Sequence, residues 1–266
     1  MRFVTSSRRN FISFWLIAPA LVAMLCVVGA LAVDTDQWAA WFGHPLRDPM
    51  PPVTRAGAGL WRLMLLICAA ALTMIPPLLG RLSPGTNTVA TPGASNAIGS
   101  RELWALCGVL VAAVAIRAVR ISESLWYDEI VAWSLFGKHG PGPIMGNYFD
   151  PANHIVHTLV TFFSVGLFQD AFGFETALRL PALLASLATV LAVAALARVT
   201  LGPRPAVVAA GVAAVAPVWV LEAVEARGYS MMILFSAVAT WLFVTTRIRD
   251  HGWKWCLYSA VCAVGI

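Results

Sequence analysis

The residues suited to chemistry are a few charges and imidazoles in a largely apolar chain. Asp128-Glu129 closes the run Leu125-Trp126-Tyr127-Asp128-Glu129, and paired carboxylates beside aromatic residues can act as a general base, a metal ligand or both. Asp128 could equally cap an amphipathic turn over Glu129–Phe136. His139, Asp150 and Asn153 follow, then His154 and His157, three apart and so on one helical face. That pair suits a metal if Asp128 or Glu129 adds a third ligand, and hydrogen bonding or packing if neither does. Arg179, just before Leu180-Pro181, offers either a two-pronged fork for phosphate or a snorkelling anchor. Glu222 and Glu225-Ala226-Arg227 end an apolar stretch. Charges at membrane depth mark functional sites, unless they pair with one another or with headgroups at the interface. No GxxxxGK[ST], HExxH or GxSxG occurs, and no GxGxxG follows a strand, which leaves nucleotide hydrolysis and soluble-type hydrolase chemistry without support.

The elements that must position these groups are membrane helices. Of 266 residues 59% are hydrophobic and 12% charged, against about 45–50% and 25% in soluble domains. A mean hydropathy of +0.78 requires an apolar surrounding for the surface. These values exclude a disulfide scaffold, a disordered chain and a water-soluble Rossmann or barrel enzyme. The 18 basic and 13 acidic residues leave +5, and the charges punctuate apolar runs, which suits topology signalling rather than nucleic-acid binding. The five cysteines (Cys26, Cys68, Cys107, Cys256, Cys262) have no metal spacing and read as packing residues.

The expected architecture is all-α and polytopic, with about six to seven spanning helices plus one outer juxtamembrane helix. Spans are expected at Phe11–Val33, Ala58–Leu79 (with Arg62 snorkelling and Pro76-Pro77 ending the helix), Glu102–Val119, Ala177–Val199, Pro205–Leu221 and Tyr229–Thr246. A last one starts near Trp253 and has not closed at Ile266, the expectation for a chain cut inside a longer bundle. Residues 1–80 form a two-span extension, 81–100 a Gly/Pro/Ser/Thr/Asn-rich linker, and 101–266 the module that carries the chemistry. Placing Arg2, Arg8, Arg9, Arg81, Arg101 and the Arg198–Arg204 loop on the cytoplasmic side works only if His154–Phe168 does not cross. At about 15 residues it is short for a span and reads as re-entrant or interfacial. All the unusual charges then collect on the outer face.

In that order and on that face, the motifs resemble those of the GT-C membrane glycosyltransferases, closest to the protein O-mannosyltransferase and aminoarabinose-transferase type. Leu125-Trp126-Tyr127-Asp128-Glu129 is similar to the Asp-Glu motif of the first outer loop. Pro151-Ala152-Asn153-His154-Ile155 stands where the family often has His-Pro-Pro or Lys-Pro. Phe172-Gly173 through Arg179-Leu180-Pro181 resembles the Phe-Gly…Arg-Leu-Pro opening of a span, and Pro217 with Glu225-Ala226-Arg227-Gly228-Tyr229 the Pro…Glu-Ala-Arg-x-Tyr element. The likeness covers about Leu103–Arg247; it lacks the prolines at Asn153-His154 and follows two extra spans.

The resemblance implies transfer of a sugar, mannose-like or another hexose or pentose, from a polyprenyl-phosphate carrier to an extracytoplasmic hydroxyl of a protein, lipid or glycan. Asp128 is the implied general base of an inverting displacement and Glu129 orients the acceptor or supports Asp128. Arg179, Arg227 and His154 would meet the departing phosphate, with Asn153 beside them; Glu225 would hold Arg227, and Tyr229 would hydrogen-bond phosphate or sugar. A divalent ion is used by some relatives and is expected to be inessential here, with no other cofactor. The implied location is the cell (inner or plasma) membrane, active site outward, with no nucleic-acid partner. Two other classes stay open: a catalytically incomplete fragment that binds lipid phosphate, and a transporter or flippase of lipid-linked sugar. The second predicts inverted repeats, and the two halves of the chain show no internal repetition.

Overall fold

The computed structural model describes residues 20–46, 52–82, 99–248 and 252–265. Arg2, Arg8, Arg9, the start of the Phe11–Val33 run, most of the 81–100 linker and Ile266 lie outside the described residues. The chain forms two compact units, Met1–Thr86 and Asn87–Ile266. Among the described residues every regular element is a helix.

In the first unit α1 (Ala20–Ala32) turns by 101° into the short α2 (Thr35–Phe42), and α3 (Pro52–Leu82) follows. The corner is built by side chains that take over the backbone. Asp34 Oδ1 accepts the Gln37 amide at 2.7 Å while Gln37 Oε1 accepts the Asp34 amide at 3.0 Å, a reciprocal cap. Arg62 does not snorkel: its guanidinium reaches across to the carbonyl of Ala30 (2.8 Å) and the hydroxyl of Thr35 (3.0 Å). The carbonyls at the end of α1 have no helical partner, and an arginine fork is well placed to supply one. Pro76-Pro77 does not end α3, whose 31 residues continue to Leu82. Proline within an apolar helix is tolerated where other groups take the freed carbonyls.

The second unit runs α4 (Ser100–Ala118), α5 (Tyr127–Leu135), a 3-10 turn (Gly137–His139), α6 (Pro141–Gly146), α7 (Ile155–Phe172), α8 (Phe174–Leu201), α9 (Pro203–Val215), α10 (Pro217–Ala223), α11 (Tyr229–Ile248) and α12 (Gly252–Gly265). Its centre is made of small residues: Ala113 of α4, Val190 and Ala194 of α8, and Ala210, Ala213 and Ala214 of α9. Small side chains let helix backbones approach closely where water is not available to drive them together.

Two broken backbones inside this unit are repaired by polar side chains. Pro181 within α8 has no N–H for the Ala177 carbonyl, and Ser164 of α7 donates to that oxygen at 2.6 Å. Pro217 breaks α9 from α10 with a 60° bend, and Arg117, at the end of α4, donates to the Ala214 carbonyl at 2.8 Å. The same guanidinium bonds Ser186 Oγ (3.0 Å), whose hydroxyl reaches the Trp219 carbonyl. Arg117 is fully buried. It therefore joins three helices at the bend.

The described residues do not confirm the expected six to seven spans. Among the described residues three helices are long and apolar enough to cross a membrane, namely α7, α8 and Tyr229–Thr246 of α11. The bent pairs α1/α2 and α9/α10 raise this to five if each pair is one span. Among the described residues α3, α4 and α12 fall outside that set: α4 carries Arg101, Glu102 and Arg117, and α12 has 14 residues. The helix expected to be too short, α7, has 18 residues and passes, so length no longer argues against its crossing. The cysteines are free, and Cys68, Cys107 and Cys256 face outward rather than into the packing.

Candidate functional site

One end of the second unit gathers most of the charges singled out above. Trp126, not Asp128, occupies the N-cap of α5, which places Asp128 and Glu129 in the first turn. Successive helical residues point about 100° apart, and the two carboxylates accordingly have opposite surroundings.

Glu129 turns inward and is fully buried. Its Oε1 accepts from Arg179 Nε (2.9 Å) and the Ala226 amide (2.5 Å). Its Oε2 accepts from Arg179 Nη2 and the Trp126 amide, both at 2.7 Å. Arg179 uses its remaining donors on carbonyls: Nη1 on Ile121 (3.2 Å) and Glu123 (2.6 Å), Nη2 on Ser124 (3.1 Å). All five guanidinium N–H groups are thus directed at protein acceptors. This pair clasps the 121–129 segment, α8 and the turn at Ala226. The donors of Arg179 are therefore all engaged with protein acceptors, and no ligand-facing donor is left over in this arrangement.

Asp128 turns outward, with its side chain 48% exposed, and Oδ2 lies 3.2 Å from Arg227 Nη2. Arg227 in turn sits 3.8 Å from Glu225 Oε2, donates to the Tyr229 hydroxyl at 3.1 Å, and lies 4.7 Å above the Tyr229 ring. His154, the N-cap of α7, meets the Tyr229 ring edge-on at 5.2 Å. Burial, and then the Arg227 charge, push its imidazole pKa below the ordinary histidine value. At neutral pH the ring is uncharged, suited to hydrogen bonding rather than to use as a cation.

His154 also lines a cavity of about 380 Å³ between the start of α7, α11 and α12, walled by Met231, Met232, Phe235 and Val264. The cavity is apolar along α11 and α12, and its polar side chains are those of Tyr148, Asn153, His154 and His157. Asn153 is buried, however, and its amide donates to the carbonyls of Ile144 (2.9 Å) and Asn147 (2.8 Å). It ties the α6 loop to the start of α7, lines the cavity, and keeps its Oδ1 buried without a hydrogen-bond partner. His157 is buried one turn along, and the two histidines do not combine with a third ligand: among the described residues no three His, Cys, Asp or Glu side chains converge on a metal position.

Asp150 accepts the Ala152 amide at 2.8 Å, Glu222 lies on α10 and its carbonyl accepts from Ser230 at 2.8 Å, and His139 lies in the 3-10 turn. Arg120 and Glu123 form a fork at 2.9–3.1 Å on the exposed rim, where Arg120 holds the Glu123 carboxyl below its ordinary pKa. Arg117 was not among the sequence candidates. Its signal was present, a lone basic residue near the end of an otherwise apolar run, but no motif accompanied it. At the opposite end of the unit Glu102 and Arg198 pair, joining α4 to α8.

Residues 156–266 match a family model described as dolichyl-phosphate-mannose-protein mannosyltransferase. The match supports a membrane glycosyltransferase of the GT-C type. The matched segment includes Arg179, Glu225, Arg227 and Tyr229 and begins after Asp128, Glu129, Asn153 and His154. No curated protein and no solved structure matches the chain.

Proposed function

We propose that the chain transfers a sugar from a polyprenyl-phosphate donor to a hydroxyl acceptor outside the cytoplasm, with Asp128 as general base. The observation that carries this reading is the pairing of a half-exposed carboxylate with an arginine that adjoins an apolar cavity: Asp128 Oδ2 lies 3.2 Å from Arg227, whose neighbour Gly228 lines the cavity. A lipid phosphate has the same polarity, an anionic head on an apolar chain. The family match over 156–266 supports the transferase class and the lipid-linked donor.

Asp128 accepts the acceptor's hydroxyl proton as its oxygen attacks the anomeric carbon. The bond from that carbon to the phosphate oxygen breaks, the polyprenyl phosphate leaves, and the configuration inverts. Charge gathers on the departing phosphate, where the Arg227 guanidinium is worth most because it is already in place. Glu225 and Tyr229 hold Arg227, and neutral His154 adds a hydrogen bond. Glu129 and Arg179 hold the loop that presents Asp128 against the turn that presents Arg227. Arg227 supplies the cation at the phosphate, and transfer is expected to survive chelation of divalent ions. The reading keeps α7 at the outer face on packing rather than length. Its middle residues Ser164 and Val165 still touch Ala177 and Leu178, in the first turns of α8.

The test is transfer of labelled sugar from a panel of polyprenyl-phosphate donors in membranes containing the chain. Wild type should transfer label and Asp128→Asn should lose about 10²–10⁴-fold, the usual contribution of a general base. Equal rates in two equally inserted proteins would refute the role of Asp128.

A further inference from the structure

Gly228 stands between Arg227 and Tyr229 for a reason its own backbone does not explain. Among the described residues the left-handed glycines are Gly140, Gly173 and Gly202, so Gly228 adopts a conformation open to any residue. What the position demands is space. A Cβ there would lie 2.8 Å from both Cβ and Cγ of His154 and 3.0 Å from Nδ1. The contact falls at the root of the imidazole, where a small torsion cannot relieve it. The His154 backbone is fixed as well: its amide donates to the Ala152 carbonyl at 3.0 Å, and its carbonyl accepts the Thr158 amide at 2.8 Å. An added methyl therefore has to push the whole His154 side chain, Cβ included, off the 228 backbone and away from its edge-on contact with Tyr229.

We propose that Gly228 is a positioning residue that acts through His154: its missing side chain seats the imidazole between the 228 backbone and Tyr229, facing the cavity that takes the donor. The inference rests on the function proposed above. It assigns a role to a residue that touches no substrate itself and joins two segments far apart in sequence, 154 and 227–229. The groups that face His154 are Arg227 and Tyr229 from that turn and His157 from its own helix.

The test is a double-mutant comparison on the full chain. Gly228→Ala should lower kcat/KM for the polyprenyl-phosphate donor on the order of 10- to 100-fold, as displacement of a binding group by about 1 Å does. His154→Gly should lower it comparably, and Gly228→Ala added to His154→Gly should change nothing more, because every atom of the clash, the His154 Cβ included, has been removed. Wild-type kcat/KM in Gly228→Ala, or losses that multiply in the double variant, would overturn the proposal. If Gly228→Ala alone fails to accumulate, the double variant should accumulate as His154→Gly does, and its failure to do so would also overturn it. A second readout does not need activity. In ¹³C-histidine NMR titration of the solubilised chain, His154 should titrate below about 6.5 in wild type and move upward in Gly228→Ala as the ring leaves its buried seat. An unchanged titration counts against the positioning role, whereas absence of transfer in wild type with the shift intact counts against the transferase reading alone.

Discussion

Two carboxylates one residue apart live in opposite worlds. Glu129 is buried, accepts four hydrogen bonds and faces a guanidinium whose donors are all engaged. Asp128 is half exposed and holds a single arginine at 3.2 Å, an arginine shared with Glu225 and Tyr229. The lesson is that charge at a membrane surface divides into groups that build and groups that work, and that spare bonding capacity distinguishes them. A fully satisfied pair has nothing left to offer a ligand. A loosely held pair can exchange one partner for a substrate without leaving a buried charge orphaned.

The largest effects should come from breaking the buried pair. Arg179→Met strands the Glu129 carboxylate in the interior and is expected to destabilise the second unit by about 3–5 kcal/mol, as removal of one partner of a buried ion pair does. Thermal unfolding in detergent measures it, and a change below about 1 kcal/mol, the scale of surface ion pairs, would erase the distinction between the two sites. Arg227→Lys tests the other side. One point charge in place of a fork should leave stability near wild type and weaken donor binding about tenfold, the loss of one charge-assisted hydrogen bond of about 1.5 kcal/mol. An unchanged KM for donor, or a fall in melting temperature to match Arg179→Met, would move Arg227 into the structural class.

Much of the architecture follows from the sequence pattern. The apolar runs of α8 and α11 locate their helices within a few residues, and Asp128, Arg227 and Tyr229 are brought together as their motifs suggest. What was not legible depends on side chains answering one another across long separations. Nothing local shows that Arg179 is consumed by Glu129, since the decision rests on carbonyls at 121, 123 and 124 that only the folded loop presents. Arg117 looks like a boundary charge until the bend at Pro217 exposes the Ala214 carbonyl to it. Helix α7 is longer than its most apolar stretch suggests because it continues past Phe168 to Phe172, where Gly173, with φ of 83°, makes the turn. The split between Asp128 and Glu129 is the clearest case, because two acids in one motif read as one unit until a helical turn separates them.

Smaller effects sharpen the same contrast. Ser164→Ala leaves the Ala177 carbonyl without the donor that replaces the missing Pro181 amide, and should destabilise by about 1 kcal/mol without altering donor KM. A change in KM would mean that the α7/α8 junction belongs to the working part. The pH dependence should also divide. His154 has a folded pKa below its unfolded value, so the unfolded chain binds the proton more readily and stability falls as pH drops from about 6.5 toward the lowered value. His154→Gln should make that part of the stability–pH curve less steep, and an unchanged slope would remove His154 from the buried set.

The most direct test places the two neighbours side by side: Asp128→Asn and Glu129→Gln, each measured for sugar transfer from a polyprenyl-phosphate donor and for melting temperature in the same detergent. The account predicts that Asp128→Asn melts as wild type does and transfers at least about 10²-fold more slowly, while Glu129→Gln loses several degrees or fails to accumulate. Full transfer by a stable Asp128→Asn protein, or an unaltered melting temperature in Glu129→Gln, would contradict it.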